Sequence, residues 1–361
     1  MRIFYFLFTM FMISSFVAAT TTYVTYSIYQ SKKVFYIGAF FGYFPYVGAI
    51  LARGLKRKEM EGVVGHFLFY YNYIALLSVT IIIMQLISLI FRKNLFDFFK
   101  NKKEIFAVVT IFLIGTLALY GKNNFDRIKG EKISIRLKEK EEKTLKIGFI
   151  SDTHLNRIFD GKKLDMALNQ MEDKGVEIVL IGGDFVDNDS SIIAPGIDEI
   201  IKKYNFPKGI YTVLGNHEYY GGIEKNIKYI KDVGIEVLRD EILEIDGINI
   251  VGRDDRTNGL RKSLIEILSE INNEFPVIVI DHNPASLQES IENKIDFQLS
   301  GHTHNGQLIP MNYLVKYLNL NGYGHKKIEK TQSFVSSGLG TWMIPYRIGS
   351  QSQYVIIDLL Y

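Results

Sequence analysis

Gly148-Phe149-Ile150-Ser151-Asp152-Thr153-His154 passes from an apolar run straight into a polar cluster, and the chain repeats that figure four more times. After Val179-Leu180-Ile181 comes Gly182-Gly183-Asp184, and after Thr212-Val213-Leu214 comes Gly215-Asn216-His217-Glu218. Val279-Ile280 leads into Asp281-His282-Asn283-Pro284, and Gln298-Leu299 into Ser300-Gly301-His302-Thr303-His304. Short runs rich in Val, Ile and Leu that end on turn residues read as buried strands. In open α/β sheets, ligands sit beyond the carboxyl ends of such strands.

Working outward, strands are expected at Leu145 to Ile150, Glu177 to Ile181, Ile210 to Leu214, Glu236 to Leu238, Val277 to Ile280 and Phe297 to Leu299. Ile242 to Ile245 and Ile248 to Val251 flank Asp246-Gly247, a hairpin signal. Helical spacing falls between them at Lys162 to Lys174, Ile197 to Tyr204, Glu224 to Val233 and Leu264 to Ile271. The alternation predicts an α/β fold with helices covering a sheet, and the Gly- and Ser-rich C-terminal part predicts antiparallel additions. A charged segment, 122–143, reads as a linker holding one short strand, Ile133 to Leu137, in front of a catalytic domain at 144–361.

Five of the seven histidines stand at the strand ends; His66 and His325 have ordinary structural readings. There is no cysteine, so disulfides and thiolate chemistry are excluded, and any metal must be held by oxygen and imidazole donors. Carboxylate, imidazole and amide oxygen suit Mn, Fe or Zn at a hydrolytic centre. Asp152 and His154, two residues apart on an extended segment, can face one ion. His302 and His304 repeat that spacing and can diverge to two ions if the loop turns. Glycines 182, 183, 215 and 301 let the backbone come close. Two ions about 3.5–4 Å apart stabilise both the attacking and the leaving oxygen of a phosphoryl displacement. The expectation is therefore two divalent ions, Mn foremost, with Fe or Zn as alternatives. Asn216 adds a neutral ligand, which limits the anionic charge facing a phosphate.

Residues 1–121 are a different material. They are rich in Phe, Tyr, Ile and Leu and nearly free of acidic residues. Four apolar stretches, Ile3 to Tyr29, Val34 to Ala52, His66 to Phe91 and Glu104 to Tyr120, predict a helical transmembrane region and a multi-pass cell-membrane protein. The second carries Pro45 and three glycines and reads as a kinked or re-entrant helix. Basic clusters punctuate the stretches in nearly equal numbers for either orientation, so the positive-inside rule sets no direction. A net charge of +3, with Lys and Arg not gathered into one run with interleaved aromatics, argues against nucleic acid as a partner and leaves the bilayer and a phosphorylated substrate.

The ordered series Asp152-x-His154, Gly183-Asp184, Gly215-Asn216-His217-Glu218, His282, Gly301-His302-x-His304 resembles the calcineurin-like metallophosphoesterase superfamily over roughly residues 144–361. The resemblance implies a metallophosphoesterase β-sandwich flanked by helices. By motif, one metal takes Asp152, His154 and His304 with Asp184 bridging, and the other takes Asp184, Asn216, His282 and His302. His217 is then the catalytic acid over the leaving oxygen, and Glu218 buttresses the loop or orients His217.

Gly183-Asp184-Phe185-Val186-Asp187, Gly252-Arg253-Asp254-Asp255, His282-Asn283-Pro284, Gly301 to Gln307 and Gly338-Leu339-Gly340 with Arg347 are similar to a membrane-associated bacterial branch. That branch includes UDP-2,3-diacylglucosamine hydrolases. Asn305, where the branch usually has Gly, and the lack of a Pro-Glu pair after the arginine depart from its pattern. The resemblance implies hydrolysis of a phosphodiester or pyrophosphate bond in a lipid-linked substrate. The alternatives are a membrane-bound nucleotide or protein phosphatase, and a non-catalytic metal-binding sensor. Tyr219-Tyr220, Tyr323 and Trp342 to Tyr346 are candidates to shape the substrate site, and Arg253, Arg256 and Arg347 to clamp a phosphate.

Overall fold

The computed structural model describes residues 2–36, 39–40, 47–48, 58–137, 143–156, 159, 161–271 and 275–361. It divides into two compact units, Met1–Lys122 with Met343–Pro345 and Asn123–Trp342 with Tyr346–Tyr361.

The first unit is helical. Arg2–Tyr29, Lys58–Ile90, Leu95–Asn101 and Lys103–Asp126 are among its described helices, the last running four residues into the second unit. Among them, Gly62–Ile90 and Lys103–Asp126 are long and apolar enough to cross a membrane. Their apolar side chains, including Leu86, Ile87, Ile111 and Phe112, are largely exposed, as lipid-facing residues are. The short helix Leu95–Asn101 is started by Asn94, whose side chain accepts the Phe96 N–H at 3.1 Å. The stretch Val34 to Ala52 lies largely outside the described residues. Membrane association therefore stands on two candidate spans, and the four-span reading needs the other two stretches.

Among its described residues the second unit holds twelve strands: β1 Ile128–Arg136, β2 Thr144–Ile150, β3 Ile178–Ile181, β4 Ile210–Thr212, β5 Glu236–Val237, β6 Glu241–Ile245, β7 Ile248–Gly252, β8 Val277–Ile280, β9 Phe297–Ser300, β10 Gly324–Ile328, β11 Thr331–Val335 and β12 Ser352–Leu360. They form two six-stranded sheets, ordered β1-β12-β2-β3-β4-β5 and β10-β11-β9-β8-β7-β6. Strands β2 to β5 run parallel, as do β7, β8, β9 and β11, while β12 pairs antiparallel with β2 and β10 with β11. Of the late strands, β10 on β11 and β12 on β2 are antiparallel as expected, while β11 joins β9, and β12 joins β1, in parallel.

Alternation along the strands sorts the core. Leu145, Ile147 and Phe149 of β2 and Ile178 and Leu180 of β3 join Ile250, Ile278, Phe297 and Phe334 in one cluster between the sheets. Ile150, Val179 and Ile181 face the other way, onto Leu164, Leu168, Ile201 and Ile230 of the covering helices. Val251 and Val279 pack on Leu264 and Ile267 behind the second sheet. Strands buried on both faces need near-continuous apolar sequence, and β2, β3 and β8 have it.

The Asp246-Gly247 hairpin forms as expected, with Ile245 opposite Ile248 and φ of 54° and 83° at the two turn residues. The segment 122–143 differs from the linker reading. The helix continues to Asp126, and β1 then pairs with β12 over nine residues, from Ile128 opposite Ser352 to Arg136 opposite Leu360. Its charged residues hide the strand because β1 is an edge, with only Ile135 deeply buried.

Candidate metal centre

The five polar clusters converge at the carboxyl edges of both sheets. Asp152 and His154 follow β2, Asp184 follows β3 and Asn216 follows β4; His282 follows β8, and His302 and His304 follow β9. Three sets of side chains bring ligand atoms within 4.8 Å of one another: Asp152, His154 and His304; His154, Asp184 and His217; and Asp184, His282 and His302.

Asp184 lies between the outer two sets. Its Oδ2 is 3.8 Å from His154 Nε2 and 3.2 Å from His282 Nε2. In the first set His154 Nε2 faces His304 Nε2 at 3.1 Å, and His304 Nε2 is 3.4 Å from Asp152 Oδ1. In the second, His302 Nδ1 faces His282 Nε2 at 3.3 Å. Two neutral imidazoles can meet nitrogen to nitrogen only by sharing one proton, and a cation suits two opposed lone pairs better. The buried Asn216 Oδ1 finds no hydrogen-bond partner either, a cost unless something electropositive faces it. The donor set and these orphaned atoms fit divalent ions.

The surroundings orient these donors. His282 Nδ1 meets the Gly182 carbonyl at 2.7 Å, which turns Nε2 toward Asp184. Asp152 accepts the His302 N–H at 3.0 Å on Oδ1 and the Ser151 hydroxyl at 2.6 Å on Oδ2. Asp152, His154, Asp184, His302 and His304 all have φ between 47° and 68°. Left-handed backbone costs a non-glycine residue energy, and here it gathers at one place, the mark of a site that function maintains. Asn305, where the sequence pattern calls for glycine, also has φ 48°; asparagine tolerates this conformation better than most residues, so the departure is accommodated.

Two glycines are required by contact. A Cβ on Gly215 would lie 2.1 Å from Asp184 Oδ1, and one on Gly301 would lie 2.4 Å from Asp152 Oδ2.

Protonation follows from burial and neighbouring charge. Burial, then the charges of His154 and Arg347, hold His304 well below its ordinary pKa. Burial and His282 lower His302 as well, so both keep a lone pair at neutral pH. Burial also works against a charged His217, but Asp184 and Asp187 outweigh it and lift the imidazole to about 9. His217 is therefore protonated at neutral pH.

Asp187 is the functional residue that sequence reasoning misses, although it closes the motif Gly183-Asp184-Phe185-Val186-Asp187. Its carboxylate lies 3.3 Å from His154 Nδ1 and 3.2 Å from His217 Nδ1, and its carbonyl also meets His217 Nδ1. Burial alone would raise this acid, yet the two imidazoles hold it well below the usual range.

Glu218 buttresses, as one of its two expected roles has it. It is fully buried and accepts the N–H groups of Asp184 at 3.1 Å, Val186 at 2.8 Å and Gly215 at 2.7 Å. Burial and the Asp184 charge push its pKa up to about 8. Glu218→Gln must turn an amide nitrogen toward one of those donors. A loss of about 1–3 kcal/mol is expected, seen as a Tm drop of roughly 2–12 °C for the full chain in detergent. An unchanged Tm would show that the two loops are held by something else.

Two of the three clamp candidates are corrected, while Arg256 is exposed. Arg347 is wholly buried and gives its guanidinium to the carbonyls of Ser337, Gly338, Gly340 and His304; burial lowers its pKa to about 10. Arg253 is buried too, 3.7 Å from Asp240 and 3.2 Å from Glu289. Both hold loops, with their guanidinium groups spent on internal partners. Tyr219 is tied to Asp254 at 2.5 Å, which leaves Tyr220 and Trp342 as the aromatic walls, 5.4 and 6.3 Å from the His217 ring.

Comparison with known proteins bears on this centre. The model of the calcineurin-like phosphoesterase family matches residues 145–306. An uncharacterized metallophosphoesterase of Helicobacter pylori (strain ATCC 700392 / 26695) is 32% identical over 232 residues, 62% of this chain and 61% of its own length. One from Aquifex aeolicus is 28% identical over 258 residues, 69% of this chain and 98% of its own. A Danio rerio transmembrane protein with metallophosphoesterase domain is 27% identical over 273 residues, 70% of this chain and 62% of its own. The chain thus spans about three-fifths of the Helicobacter and Danio relatives it matches. Ordered motifs, paired sheets and these matches agree: the domain that carries the site belongs to the calcineurin-like phosphoesterase superfamily.

Proposed function

We propose that this chain is a membrane-anchored hydrolase of phosphodiester or pyrophosphate bonds, working with two divalent metal ions. The observation that carries the reading is Asp184, whose one carboxylate oxygen faces histidines of two separate ligand sets. Asp152, His154 and His304 would hold one ion and Asn216, His282 and His302 the other, with Asp184 shared. Such a pair, when bound, supplies the Lewis acidity that phosphoryl transfer to water needs. Mn is the ion proposed, with Fe or Zn able to serve the same donors.

The protein's own residues do the rest. His217, charged at neutral pH and fixed at Nδ1 by Asp187, gives its proton to the leaving oxygen from Nε2. Tyr220 and Trp342 flank that position and exclude water from one side. Two candidate spans support a membrane anchor, which we read as multi-pass, and the anchor in turn favours an amphipathic, lipid-linked phosphodiester or pyrophosphate, with UDP-2,3-diacylglucosamine as one assay substrate.

The test uses the full chain in detergent, stripped by a chelator and reloaded with Mn. Hydrolysis of bis-p-nitrophenyl phosphate is expected to vanish on stripping and return on reloading. Two bound ions per chain without turnover for Mn, Zn, Fe or Co would overturn the hydrolase and leave the sensor. Stripping should also lower Tm, because ions bound only by the folded state stabilise it by about 2.7 kcal/mol at a hundredfold excess over Kd.

A further inference from the structure

The helix Met311–Leu318 follows within a few residues of the turn that carries His304, and it is built the wrong way round for water. Its one deeply buried side chain is Asn312. Tyr317 is 85% exposed, Leu318 68% and Tyr313 66%, and Met311, Leu314 and the following Leu320 are exposed as well. Scattered apolar residues on a surface need no explanation, but six within ten positions form a patch, and such patches mark interaction sites.

We propose that this face is a lipid-docking surface that seats the domain on an anionic bilayer. Three observations choose lipid as the occupant.

The first is charge. No Asp or Glu occurs between Asp296 and Glu329, a span that carries Lys316, Lys326 and Lys327. All three lysines are exposed, and Lys326 Nζ reaches the Leu320 carbonyl at 2.7 Å, at the end of the apolar face. Apolar and tyrosyl groups rimmed by lysine are the composition of an interfacial element, with rings at headgroup level and cations on lipid phosphate.

The second is tether length. The helix Lys103–Asp126 is a candidate span whose last large apolar residue before the first charge is Tyr120, and β1 begins at Ile128. Eight residues at about 1.5 Å of helical rise each give only about 12 Å of chain. A domain held that closely to a bilayer meets lipid more often than any soluble partner.

The third is mechanical continuity with the site. Gly306 lies so close to the helix that an added Cβ would come within 2.2 Å of the Asn312 nitrogen. Thr303 donates to the Gly322 carbonyl at 2.9 Å, which ties the chain after the helix to the same loop. The docking face and the loop carrying His302 and His304 are one packed piece, so seating the helix in lipid fixes the metal centre at the headgroup layer.

The chain has no cysteine, so a single introduced thiol can be labelled cleanly. Nitroxide is placed at Tyr317→Cys and at Leu318→Cys in the full chain, in nanodiscs of phosphatidylcholine and phosphatidylglycerol, with Leu260→Cys, 92% exposed, as the water reference. Oxygen collisions at 317 and 318 are expected to exceed those of a water-soluble nickel complex several-fold, with the reverse at 260. Labels at all three sites equally open to the nickel complex would overturn the proposal. Labels at 317 and 318 shielded from both reagents would overturn it as well, in favour of a protein neighbour such as a second copy. The readout uses no turnover, so an inactive chain still tests it, and failure here leaves the hydrolase reading standing.

Discussion

Replacing Asp184 by Asn is expected to cut hydrolysis of bis-p-nitrophenyl phosphate by about 10³-fold or more. The carboxylate does three things at once. Oδ2 faces His154 and His282, and Oδ1 accepts the His217 N–H at 2.9 Å. Asparagine keeps the shape but removes the negative charge opposite the imidazoles, and it must turn an NH2 group either toward the ligand atoms or toward the His217 amide. Bound metal measured by mass spectrometry should fall below two ions per chain, while circular dichroism stays native. An Asp184→Asn chain that still binds two ions and turns over normally would remove Asp184 from the centre.

His217→Ala should lower kcat by about 10²–10⁴-fold, and its signature separates an acid from a ligand. His217 comes within ligand reach of His154 and Asp184, so loss of activity alone decides nothing. A proton donor matters most when the leaving group is poor. Hydrolysis of an alkyl phosphodiester should therefore suffer far more than that of a p-nitrophenyl ester, whose leaving group needs little help. Metal content should remain at two ions. Equal losses for both esters, with an ion missing, would make His217 a ligand instead. Alanine takes one of the two imidazoles away from the Asp187 carboxylate and leaves it His154 and the Asn156 amide, so some stability is lost in either case.

Both expectations rest on residues legible in the amino-acid order. Each strand that leads into a candidate ligand is announced by its apolar run and the ligand by the polar residues that end it, because parallel strands buried on both faces must be apolar throughout. A ligand at a strand end is thus the first polar residue the chain can place. Asp246-Gly247 is legible for a similar reason, since the local twist of a two-residue turn demands those residue types. Long apolar helices announce themselves too, because lipid tolerates no uncompensated polar group.

What the chain's order could not show is which exposed-looking residue turns inward. Arg347 and Arg253 read as phosphate clamps because arginine binds phosphate bidentately. The fold instead wraps Arg347 in backbone carbonyls and sets Arg253 beside Asp240 and Glu289. Asp187 is in view as part of a motif, but its task follows only from His154 and His217 arriving beside it. The segment 122–143 looks like a tether because an edge strand buries little and so needs few apolar residues.

By itself, then, the sequence determined the α/β class, the helices apolar enough to cross a membrane and the roster of candidate site residues, since local pattern and burial on both faces constrain residue type one strand at a time. The tertiary structure alone decided that Asp184 stands between two histidine sets, that Asp187 holds His217, and that Met311–Leu318 turns its apolar face outward. His154 and His304, 150 residues apart, meet at 3.1 Å only because two sheets pack with their carboxyl edges together, and contacts across that distance leave no trace in local sequence.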